Sequence, residues 1–218
     1  MLFEEQLKPN RKMFDSDPFG YSALAWHKWG MIKTLAGFTV DISKPPTSSE
    51  LKDPILWLSQ AHAMTEAASI LINNTPDWHL MPDNLSSICD SQYCAITLML
   101  VGYSLEICLK AMLILQKGVD DYSLEEKKHK HHQLIKLAEF IPNLSEKDKV
   151  ILNLLTHFIT WAGRYPDPGS GREDDSENIF LLSEKFQISA KDLFTLSATI
   201  LKYTSTITDK SHHSVFEK

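Results

Sequence analysis

The residues of this chain best suited to chemistry are Glu106, Lys110, His132 and Arg164, with His157 and Tyr165 close by in the sequence. Glu106 and Lys110 stand at i and i+4 in Tyr103-Ser-Leu-Glu-Ile-Cys-Leu-Lys, so a helix stacks them on one face in the favourable order for an ion pair. In so apolar a segment the pair must reach the rim or find buried partners, because an unpaired buried charge is costly. Arg164, in Trp161-Ala-Gly-Arg-Tyr-Pro, offers a guanidinium fork that fits a carboxylate, and Glu106 is its natural acceptor. His132 opens the run His-Gln-Leu, and His157 precedes Arg164 by seven residues, about two helical turns.

A second grouping is the basic run Lys127, Lys128, His129, Lys130 and His131, a candidate phosphate-facing patch. A metal at His129, His131 and His132 would need a set geometry and usually a carboxylate or thiolate partner. The lysines there repel a divalent cation, so no metal site is expected and no cofactor is implied. Motifs for phosphate-cradling glycine loops, zinc hydrolases and serine hydrolases do not occur.

These side chains need helices to carry them. Periodicity predicts a helix over 21–35, followed by a Pro/Ser-rich connector over 41–52 that cannot stay helical across Pro45-Pro46. Asp53 before Pro54 reads as the cap of the next helix, which stops before Asn73-Asn74. The longest helix is expected over about 86–117, apolar nearly all round its middle as the central helix of a bundle would be, with Gly118 as its stop. Residues 119–131 read as a polar, charged stretch, followed by a short helix over 132–140. Ser145 with Asp148, and Ser189 with Asp192, read as capping pairs for two more helices. Residues 167–178 read as an acidic loop, the first 18 residues as an irregular arm, and 209–218 as a frayed tail. The expected organisation is therefore an N-terminal arm, helix and linker over 1–52, then a helical bundle over 53–208.

Three elements taken in order carry a resemblance. They are Glu106 to Lys110 and Ala111 in the long helix, His132-Gln133-Leu134, and Arg164-Tyr165-Pro166 at a helix end. Their order and spacing resemble the HEPN family (higher eukaryotes and prokaryotes nucleotide-binding) over roughly 53–208. The resemblance implies an all-α, up-and-down bundle, here with an extra N-terminal helix, commonly dimeric and often found in bacterial toxin–antitoxin and defence systems. Active members of that family are metal-independent ribonucleases with an Arg-x(4–6)-His motif, in which the His serves the ribose 2′-hydroxyl and the Arg the phosphate.

This sequence departs from that motif. Its arginines are Arg11, Arg164 and Arg172, and none has a histidine at the required distance downstream. The expectation is a non-catalytic module that binds RNA, a nucleotide or a partner protein as a homodimer. Glu106, Lys110, Tyr165 and Asp167 then form a ligand-binding or structural cluster. One alternative is a divergent ribonuclease using His157 or His132 with Arg164; another is a purely structural dimerising protein.

Composition is compatible with these readings. The 218 residues are 43% hydrophobic and 23% charged, enough apolar material for a sizeable core. A net charge of −6 removes the overall basic excess of a generic nucleic-acid binder, leaving only a local groove for that role. Three cysteines without paired spacing fit a reducing cytoplasm better than a disulfide framework. The apolar run 94–105 is interrupted by Glu106 and Lys110, so it reads as a buried helix, and no membrane contact is expected.

Overall fold

The computed structural model describes residues 7–207, and among them the secondary structure is helical with no strand. The tail expected over 209–218 lies outside the described residues. Of the arm expected over the first 18 residues, 1–6 lie outside the described residues, and the rest includes α1 (Arg11–Ser16) and the start of α2 (Pro18–Ser22); the helix expected over 21–35 is divided between the end of α2 and α3 (Ala25–Leu35). Asp17 divides the first two: its side chain caps α2 at the Gly20 N–H, with Pro18 in the first helical position.

A 3₁₀ turn (Glu50–Lys52) leads into α4 (Pro54–Asn73), whose Asp53 cap accepts from the Ile55 N–H. The other oxygen of Asp53 receives Lys33 of α3 at 2.8 Å, with both side chains buried. One carboxylate thus starts α4 and fastens the N-terminal helix onto the bundle. Burial is tolerable for this pair because each charge has its partner.

α5 (Asp83–Lys117) is the axis of the molecule. It runs antiparallel to α4, since Tyr93 donates to the Leu71 carbonyl and Ser104 to the Ala61 carbonyl. Ala61, Ala68 and Ser104 are buried between the two helices, and small residues there let the backbones approach. Leu105, Leu109, Met112 and Ile114 fill the centre, packed by Leu134, Leu137, Leu152, Ile159 and Ile200. By length and composition Asn84–Lys117 could cross a membrane, but 61% of its most apolar window is buried against the other helices. Cys108 is buried beside the Thr204 hydroxyl, and burial pushes its thiol above the ordinary value.

Gly118, at φ 84°, ends α5, and the chain re-enters a helix at once as α6 (Val119–His129). The polar stretch expected there folds because Asp120 and Asp121 sit in its first turn and Lys127, Lys128 and His129 in its last, each complementing the helix dipole. Next come the single turn α7 (Leu134–Leu137), shorter than its pattern suggested, and α8 (Glu146–His157). α8 continues as a π-helical turn, Phe158–Ala162. α9 (Asp174–Lys185) begins inside the stretch expected to be an acidic loop, with Asp174, Asp175 and Glu177 again in a first turn. α10 (Ala190–Tyr203) closes the bundle. The capping boxes of Ser145 with Asp148 and Ser189 with Asp192 both form.

Candidate functional site

Glu106 is 5% exposed, and its two oxygens are divided between α5 and the segment that leads into α7. Oε1 receives the Lys110 ammonium at 2.7 Å, one turn along α5, and Oε2 meets His132 Nδ1 at 2.8 Å. His132 stands just before α7, where the Leu134 N–H donates to the Thr156 hydroxyl of α8 and fixes the turn. A buried carboxylate with two cationic or donor neighbours is compensated where it would otherwise be costly. The His132 side chain is 47% exposed, so the imidazole is anchored from within and open to solvent on its other side.

Tyr103, one turn before Glu106, extends the cluster. Its ring lies edge-on to His132 with centroids 6.1 Å apart, and its hydroxyl donates to the Ile159 carbonyl at 3.3 Å. That hydroxyl also accepts from Arg164 at 3.5 Å, a long hydrogen bond. Arg164 therefore reaches the cluster through Tyr103, and the expected Arg164–Glu106 fork does not form. Both carboxylate oxygens are already taken by Lys110 and His132. The Arg164 guanidinium lies 5.4 Å from the ring of exposed Tyr165, while Asp167 turns away to accept from the Gly169 N–H.

Arg164 owes its position to a backbone approach. Gly163 crosses α5 so closely that a Cβ there would lie 2.4 Å from Met99 Cβ and 2.9 Å from the Ala95 carbonyl oxygen. The Gly163 N–H bonds the Phe158 carbonyl, five residues back, which closes the π turn. That wider turn takes Arg164 out of α-helical phase with His157, so seven residues no longer place them on one face. His157 instead accepts from the Trp161 indole N–H at 3.3 Å. Burial lowers its pKa below the ordinary value, and the charges that act on it are Asp175 and Arg172.

The basic run divides. Lys127 and Lys130 are exposed, and Lys128 pairs with Glu125 at 2.8 Å. His129 turns inward, its ring stacked on Tyr122 at 5.5 Å and its Nε2 3.2 Å from Lys117 Nζ. Burial, then Lys117, lowers the pKa of His129. His131 is lowered by burial and by Lys110 and Lys136, which places those cations around it. Among the described residues no group of His, Cys, Asp and Glu is arranged to hold a metal ion. Sequence reasoning missed Tyr103 as the link to Arg164, although it stands three residues before Glu106. It also missed Lys136, which follows His132 by four residues and could have been counted with the basic run.

Fold and site together define a chain, all-helical among the described residues, in which a buried Glu106–Lys110 pair holds the half-exposed His132 at the surface. No family model, no curated protein and no solved structure matches the chain.

Proposed function

We propose that this chain is a HEPN-like up-and-down bundle that binds RNA through its phosphates, without cleaving it, at the surface around His132, His131, Lys136 and Arg164. The observation that carries this reading is the Glu106–His132 contact. It fixes an imidazole at the surface against the ring of Tyr103, whose hydroxyl takes Arg164, in a chain whose overall charge is negative. Phosphates would take donors from Arg164, from the His131 ring and from the His132 Nε2–H that the protonated ring carries, and the exposed Lys127 and Lys130 add charge along the same turn. Cytoplasmic residence and a role in a toxin–antitoxin or defence system belong to this reading. So does a homodimer, whose contact would use the exposed Leu85, Ile88 and Ile96 on one face of α5.

Anisotropy of a labelled single-stranded RNA, in low salt with a metal chelator, tests the proposal. The natural protein should bind without shortening the RNA, and Arg164→Ala and His132→Ala should each weaken binding about tenfold, with affinity falling as salt rises. Absence of binding at low salt sinks it.

A second reading has its own support. His132 Nδ1 is held by a carboxylate while its Nε2 has no partner among the described residues, the arrangement of an oriented general base. Metal-independent cleavage lost in His132→Ala and kept in His157→Ala would establish a divergent ribonuclease instead.

A further inference from the structure

Between α4, α5 and α10 lies a hollow of about 430 Å³, and between α5, α8, α9 and α10 a second of about 290 Å³. Ile72 and Phe194 line both, so the two adjoin as one channel. Among the described residues no Asp, Glu, Lys, Arg or His lines either part, so an ion would enter without a counter-charge, at high cost. The inner polar groups of the larger hollow are the hydroxyls of Thr65, Ser104 and Ser197, and their protons are already spent. Ser104 donates to the Ala61 carbonyl at 2.9 Å. Thr65 Oγ1 lies 3.0 Å from the same carbonyl and 2.6 Å from Ser104 Oγ, so both protons stay among these three oxygens. Ser197 donates to the Leu193 carbonyl at 2.9 Å. What the three hydroxyls have left is acceptor lone pairs. An occupant that brings a donor satisfies them, and one that brings only acceptors does not.

The geometry points to a binding site for an uncharged aliphatic alcohol. Its hydroxyl donates to the Thr65, Ser104 and Ser197 oxygens, and its chain runs past Ile72 and Phe194 toward Leu98, Leu154 and Ile179. Burial of the chain supplies the affinity, as in other mostly apolar pockets with a few placed polar groups. α9, which contributes Ile179 and Ser183 to the smaller hollow, buries none of its own residues and leaves Phe180 69% and Leu181 53% exposed. It is the wall with the least core to hold it, and so the side on which a chain can enter. The channel shares no residue with the proposed RNA-binding surface and does not rest on it.

The test is calorimetric titration of the full chain with 1-decanol, with decanoate and with decyl methyl ether, which share a ten-carbon chain and differ at the head. 1-Decanol should bind saturably with one site per chain. Decanoate should bind about tenfold or more weakly, because its charge finds no partner. The ether, which cannot donate, should bind about fivefold more weakly. Ala198→Phe in the larger hollow and, independently, Ala190→Phe in the smaller, both at exposed wall positions, should each reduce 1-decanol affinity about tenfold. RNA binding and the thermal midpoint of the free chain should be unchanged in both. No saturable binding of 1-decanol, equal binding of decanoate or of the ether, or unaltered affinity in whichever wall variant folds would overturn the proposal. So would a concentration-dependent dimer in sedimentation that 1-decanol leaves intact and Ala198→Phe dissociates, since the hollow would then belong to a second copy.

Discussion

His132 and Arg164 reach the same surface by opposite means. His132 is held by charge: a buried carboxylate on α5 grips it at 2.8 Å and is itself neutralised by Lys110. Arg164 is held by the lack of a side chain: Gly163 lets the end of the π turn press against the Ala95 and Met99 backbone region of α5. The first device depends on electrostatic compensation, the second on steric fit. They should therefore fail differently, and by different amounts.

The charge-held side should be the more fragile. Glu106→Ala removes the only ion-pair partner of Lys110 among the described residues and leaves an ammonium buried without compensation. Loss of one member of such a pair costs about 3 kcal/mol or more. Urea unfolding should register that as a lower midpoint, and Glu106→Gln, which keeps hydrogen-bonding oxygen and nitrogen at the site, should lose less. If Glu106→Ala unfolds with the stability of the natural protein, the cluster does not hold the bundle together.

On the steric side, Gly163→Ala forces a methyl group against Met99 Cβ and the Ala95 carbonyl, neither of which can rotate away. Overpacking of this kind costs about 2 kcal/mol, less than the loss of Glu106. It should also shift Arg164 off Tyr103 and weaken RNA binding, whereas the His132 contribution stays. Equal loss from both sides of the site would mean that the two anchors are not independent.

How much of this was readable beforehand follows from the same contrast. The Glu106–Lys110 pair was legible because i, i+4 spacing is a local property of a helix, and His132 joined it through the order of motifs. The caps at Asp53, Ser145 and Ser189 were legible for the same local reason. The Arg164 acceptor was misassigned, because charge matching in sequence cannot count how many partners a carboxylate already has. The phase between His157 and Arg164 was lost to a π turn that only the approach of Gly163 to another helix explains. α6 and α9 were read as polar segments because neither buries a strong apolar stripe; their dipole-matched ends were the available signal.

Two histidines that precede Arg164, His132 and His157, provide the finest test. Among the described residues His157, unlike His132, has no carboxylate bonded to its ring; it accepts from the Trp161 N–H, and burial holds its pKa below the ordinary value near 6.5. His129 and His131 are shifted in the same direction, also chiefly by burial. Below pH of about 6.5 the unfolded chain takes up protons on these rings that the folded chain resists, so stability is whole above that pH and is lost as pH falls toward the folded values. Protonation also converts His157 Nδ1 from acceptor to donor, which breaks its bond to Trp161. Thermal melts from pH 7.5 to 5.5 should therefore show a falling midpoint, and His157→Gln should make that fall shallower. An identical slope in the variant would show that the His157 ring contributes nothing to the acid sensitivity, leaving it to His129 and His131.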